Sequence, residues 1–114
     1  NCYVIVTMQT FSEEKCMNTY SNIVRFIVKE GNETKFLEVF DTFVSQEGEN
    51  YSMLVHTGER EYVAVGVWES EDAMVNARPA MIGNLDQMRE LLEEISSELG
   101  VTDPRSGKIV AEWD

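Results

Sequence analysis

The chain has 114 residues, 43% of them hydrophobic, and a formal net charge of −12. That length fits one domain with one core, and association with a second copy would help so small a unit bury apolar surface. The acidity works against nucleic acid and anionic membranes, which repel negative charge. A neutral or apolar small molecule is the more natural partner.

No apolar run approaches the roughly 20 residues that span a bilayer. The opening "CYVIV" lacks a basic flank and is too short for a signal peptide. Cys2 and Cys16 form neither a C-x-x-C pair nor a disulfide framework, so a reducing, cytoplasmic setting is expected.

In chain order, "NCYVIVTMQTF" (1–11) is rich in β-branched and aromatic residues and predicts a strand over about 3–8. "SEEKCMNTY" (12–20) is polar and ambiguous, with room for a short helical turn. "NIVRFIVKEGN" (22–32) predicts a firmer strand. Ile23, Val24, Phe26, Ile27 and Val28 leave few polar positions, which suggests burial on both faces. Asn32 can cap the next element. In "ETKFLEVFDTFVSQ" (33–46), Phe36, Val39, Phe40, Phe43 and Val44 make one apolar helical face.

"YSMLVHT" (51–57), "GERE" (58–61) and "YVAVGVW" (62–68) predict a strand–turn–strand hairpin. On its second strand Val63, Val65 and Val67 share one face, and Tyr62, Ala64, Gly66 and Trp68 the other. Ser70 can cap a helix whose first turn carries Glu71 and Asp72. A break is expected near Pro79. A second helical stretch then runs from about 80 to 99 on a spine of Met81, Leu85, Met88, Leu92, Ile95 and Leu99, stopped by Gly100. "VTDPRSG" (101–107) reads as a loop and "KIVAEW" (108–113) as a last strand.

Strand, helix, strand, strand, helix, strand is the ferredoxin-like split βαβ order. The fold class is therefore α+β with an antiparallel sheet, in a domain over 19–114 preceded by an N-terminal arm over 1–18. Both helices on one side leave the other sheet face bare, and the sheet of a second copy would cover it.

"VWESEDAM" after the hairpin, followed by "ARPAMIGNLDQMRELLEEISSELGVTDPRSGKIV", resembles the antibiotic biosynthesis monooxygenase family. The resemblance covers about residues 20–113, and W-E-S is its most recognisable piece. It implies a homodimeric α+β barrel that oxidises a small aromatic, phenolic or quinol substrate without a metal or other cofactor. The alternative is a non-catalytic small-molecule-binding or structural dimer. A third reading is a component completed by another protein through the arm.

The resemblance and the residue types together set the candidate residues. Trp68 stands at the W-E-S position as core plug or cavity wall. Burying an aromatic removes ~150–250 Å² from water, an upper bound of about 4–6 kcal/mol, so packing alone would justify it. Met74 is a second candidate wall. Haem degradation is disfavoured because Ala77 and Gln87 occupy the region where that branch places its helix tryptophan and histidine. Ala80 replaces the histidine that quinol-oxidising relatives often carry after the proline, leaving Arg78 as the nearest donor, although such an arginine more often pairs with a surface carboxylate. Asn22 lies near the asparagine position of the haem-degrading branch and otherwise reads as a strand-start turn residue. His56, the only histidine, argues against a His-rich metal site and is the obvious base if it points into a cavity.

Overall fold

The computed structural model describes residues 3–6, 12–15 and 18–113, the first two segments as backbone. Cys2 and Cys16 lie outside the described residues. Two short strands, β1 (Tyr3–Val6) and β2 (Ser12–Lys15), pair antiparallel. The second falls in the stretch where a helical turn was an option; the backbone there is extended.

The main sheet contains β3 (Tyr20–Ile27), β4 (Glu49–His56), β5 (Glu61–Trp68), β6 (Asp103–Pro104) and β7 (Gly107–Lys108). Its order is β4-β5-β3-β6, with β7 also on β3, and every pairing is antiparallel. This is the ferredoxin-like arrangement expected from the element order. The hairpin forms as predicted, and its register sets Asn22 opposite Gly66 and Gly66 opposite Ser52.

Helix α1 (Glu33–Phe40) is shorter than its apolar pattern suggests. Beyond Asp41 the chain tightens, with Thr42 and Phe43 donating to the carbonyls of Val39 and Phe40. The Thr42 hydroxyl also donates to Val39 O at 2.7 Å, the side-chain competition that makes threonine a poor helix continuer. Asn32 occupies the N-cap position, but its side chain makes no capping bond. Ser70 does cap: its hydroxyl accepts the Ala73 N–H at 3.0 Å and opens α2 (Glu71–Asn76). Pro79 sits in the first turn of α3 (Arg78–Asp86), where its missing N–H costs nothing.

The long second helix does not form as expected. After Asp86 the backbone tightens into a 3₁₀ turn at Arg89–Leu91, and Leu92 is extended. Lys29 N donates to Leu91 O and Glu93 N to Ile27 O, both at 2.8 Å. The chain therefore crosses the end of β3 as a strand-like bridge. Met88 and Leu92 still reach the core, whereas Leu99 is left exposed. The last strand is also displaced. Pairing with β3 comes from β6, inside the stretch read as a loop, and from β7, which takes in only Lys108 of the stretch read as a strand, while Val110 and Trp113 are exposed.

The core centres on Phe26, Val28, Phe36, Tyr62, Met88 and Leu92, with Phe40 and Phe43 against it. A smaller cluster joins Trp68, Met74 and Ala77 under α2. The opposite sheet face carries Ile23, Val63, Val65 and Val67. Beside them on β4, Tyr51 is 56% exposed and Met53 44%. Arg25, on the same face, bonds through Nε to the buried Asp103 at 3.1 Å, and Arg105 bonds it from the other side at 3.2 Å. Arg105 first and Arg25 second hold the Asp103 carboxyl below the usual carboxylate range. Among the described residues no helix is long and apolar enough to cross a membrane.

Candidate active site

Between the sheet and the helices lies an open cavity of about 560 Å³. This is within the usual range for a small-molecule site. Its walls are mostly apolar: Phe40 and Phe43 from α1 and the turn after it, and Met81 and Leu85 from α3. The floor is the helix-side face of β3, β4 and β5, where Val24, Ala64 and Leu54 form one cross-strand row and Asn22, Gly66 and Ser52 the next.

On that floor Gly66 leaves room for the polar ends of its neighbours. A Cβ there would stand 2.4 Å from Asn22 Oδ1, 3.0 Å from Trp68 Nε1 and 3.1 Å from Glu49 Oε2. Three polar atoms from three strands thus converge over one missing side chain. Trp68 Nε1 donates to Asn22 Oδ1 at 2.7 Å. An indole N–H can only donate, so this bond orients the amide and leaves Nδ2 as its donating end. Trp68 is 1% exposed yet borders the cavity, so it serves as both plug and wall.

Glu49 reaches this floor because the hairpin is bulged. Glu49 pairs with Trp68 while Tyr51 pairs with Val67, leaving Asn50 as the extra residue. Strict alternation from Ser52 would send Glu49 to the opposite face, and the bulge returns it to Trp68's side. Glu49 Oε1 accepts the Gln46 N–H at 3.0 Å. Burial raises the carboxyl above its ordinary value, and the Gln46 hydrogen bond partly offsets that rise. The preceding loop is fixed by Gly48, which adopts φ +85°; a Cβ there would stand 2.6 Å from Ala73 Cβ.

The other candidates fall differently. Asn22 is the third residue of β3, within the strand. Arg78 borders the cavity while remaining exposed, and no carboxylate pairs with it among the described residues. Met74 is buried with Trp68 and Ala77 and stands outside the cavity lining. His56 also stands outside, at the far end of β4, where its ring stacks on Tyr62 with centroids 4.5 Å apart. Sequence reasoning missed Glu49 and the importance of Gly66. A bulge leaves little trace in a polar stretch such as "EGEN" (47–50), which reads as a loop. A glycine inside a strand is a usable signal of close approach, and Gly66 already shared Trp68's face. Among the described residues no three His, Cys, Asp or Glu side chains stand together as a metal site would require.

No protein-family model matches the sequence, and no curated protein is significantly similar to it. Solved structures are. An assigned antibiotic biosynthesis monooxygenase from Chloroflexus aurantiacus superposes with TM-score 0.66 at 12% identity, over 84% of this chain and 97% of that one. SnoaB, a cofactor-independent oxygenase from Streptomyces nogalater, superposes with TM-score 0.60 at 21% identity, over 85% and 96%. The fold is that of the antibiotic biosynthesis monooxygenases. A dimeric ferredoxin-like protein from an uncultured marine organism has the same chain path, with TM-score 0.65 at 12% identity over 85% and 92%. At these identities the antibiotic biosynthesis monooxygenase likeness describes the chain path, and the chemistry must be argued from the side chains.

Proposed function

We propose that this protein is a cofactor-independent monooxygenase of a small phenolic or quinol substrate. The observation that carries the reading is the Asn22–Trp68 hydrogen bond set into the floor of an apolar cavity. The walls suit an aromatic ring. Asn22 Nδ2 and the Arg78 guanidinium supply donors for an oxygen that becomes negative, which is what the chemistry requires. A phenol that loses its proton becomes an anion able to pass an electron to O2. The net change is phenol plus O2 to quinone plus water, with one oxygen atom entering the ring and the other leaving as water. The description of the Streptomyces protein as a cofactor-independent oxygenase supports the same assignment. We place the protein in the cytoplasm, consistent with its sparse cysteines.

The test is oxygen uptake with a panel of phenols and hydroquinones, with and without EDTA, under ¹⁸O₂. Uptake that survives EDTA and places one ¹⁸O in the product is expected. Failure of every substrate to consume oxygen sinks the assignment.

The working form is a homodimer. The bare face bearing Ile23, Val63, Val65, Tyr51 and Met53 is too apolar to be left to water. A second copy of the same sheet matches it, and the dimeric ferredoxin-like neighbour supports that choice. Light scattering after size exclusion should return twice the monomer mass; a monomer at micromolar concentration rules the dimer out.

A further inference from the structure

We propose that Glu49 is the general base of this pocket, its Oε2 taking the proton from a ring hydroxyl held beside the Asn22–Trp68 pair. The inference rests on the phenol-oxidising reading above and supplies the residue that activates the substrate. The geometry carries it. The bulge at Asn50 brings Glu49 onto the cavity floor. The Gln46 N–H fixes one carboxylate oxygen. The other shares the space over Gly66 with Asn22 Oδ1 and Trp68 Nε1.

In the step, the substrate O–H bond breaks and the proton bonds to Oε2. The electron pair stays on the ring oxygen. The negative charge thereby moves from the carboxylate to the ring, where Asn22 Nδ2 and Arg78 hold it. The ring anion then gives an electron to O2, and the ring radical and superoxide join in a C–O bond. The peroxide takes the proton back from Glu49, and loss of the ring C–H proton with cleavage of the O–O bond leaves the quinone and one water. Burial strengthens the carboxylate as a base.

The surroundings of Glu49 are simple. Arg78 of α3 is the charged side chain that shares the cavity, and Asn22 and Trp68 face Glu49 from β3 and β5. Glu69, at the end of β5, lies against Gly48 one residue earlier in the chain. His56, on the same strand, is at its other end and outside the cavity.

The experiment has two arms, both comparing the wild type with Glu49→Gln, which keeps an oxygen for the Gln46 N–H. In the first, kcat and KM are measured against pH for hydroquinones and phenols of graded acidity. The variant should lose about 10²–10⁴-fold in kcat with little change in KM. It should lose the acid limb of the wild-type profile and recover most of the deficit on phenols already ionised. A variant that keeps wild-type kcat and acid limb overturns the proposal. In the second arm, binding of 2-naphthol and 2-methoxynaphthalene is measured by calorimetry. The wild type should prefer the naphthol, which can donate to a carboxylate, and Glu49→Gln should erase the preference. Equal binding of the two by the wild type, a preference retained in the variant, or binding of neither overturns the proposal. If no substrate turns over while the Glu49-dependent preference is present, the oxygenase reading falls and the phenol site stands.

Discussion

The helix-side face of the sheet has a closed end and an open end. At the closed end, Phe26 and Tyr62 pair across β3 and β5, and Phe36 packs on both, with ring centroids 5.9 and 5.0 Å away. Two rows further along, Asn22, Gly66 and Ser52 stand where large side chains would be needed to fill the same space. Aromatic rings fill the closed end, and the small side chains of the other row leave the floor of the cavity. On the proposed function, stability belongs to the closed end and chemistry to the open one, and substitutions should separate the two.

The largest effect is expected at Phe36, which is fully buried. Phe36→Ala removes a ring from a packed cluster and should lower unfolding free energy by about 3–5 kcal/mol, measured by denaturant titration. A loss below about 1 kcal/mol would mean that the closed end is not the tight core described. Next comes Val65, at the middle of the bare face between Ile23 and Met53. Val65→Lys would bury an unpaired charge in a dimer, at a cost of about 2–5 kcal/mol. Light scattering should show a monomer, with the inner face unaltered. A dimer that persists at low micromolar concentration would place the interface elsewhere.

Gly66→Ala tests the open end. The added Cβ must displace the end of the Asn22 side chain, which can swing aside, so the fold should survive. The Asn22–Trp68 bond should not. Affinity for 2-naphthol should fall by about tenfold or more, equivalent to about 1.4 kcal/mol. Unchanged affinity would show that the ligand does not use this floor.

These residues also show what was legible in the sequence. The alternation of Tyr62, Ala64, Gly66 and Trp68 against Val63, Val65 and Val67 is visible in the string, and the two faces follow from it. The spine Met81, Leu85, Met88, Leu92 correctly marks what is buried or packed on the core, but not the backbone that buries it. Leu92 reaches the core as extended chain because its neighbours Leu91 and Glu93 bond the backbone of Lys29 and Ile27 at the end of β3. Periodicity cannot anticipate a tertiary hydrogen bond. His56 and Met74 were reasonable candidates by residue type, yet position along β4 and the packing of α2 keep both out of the cavity lining. Glu49 was hidden by a one-residue bulge, which inverts the face that counting assigns.

The smallest expected effect concerns Glu49 and runs opposite to the loss of turnover proposed for its substitution. Burial raises this carboxyl in the folded chain, while the unfolded chain titrates near the ordinary value of about 4.3. Below that value the group is protonated in both states and behaves much like glutamine. As pH rises from there through the higher folded value, the folded state binds more protons than the unfolded one, and stability falls. Glu49→Gln escapes that loss. The difference in Tm between variant and wild type should therefore be near zero at pH 3.5 and grow in favour of the variant toward pH 8. Asp103 contributes in the other direction, because its lowered value makes its stabilisation disappear only as pH falls; being present in both proteins, it cancels in the difference. In a chain of net charge −12, removing any carboxylate relieves some repulsion, so Glu94→Gln at an exposed position is the control. A pH-dependent gain confined to position 49 would mean that the open end retains a carboxylate against the interest of stability. A gain equal at both positions would reduce Glu49 to general charge.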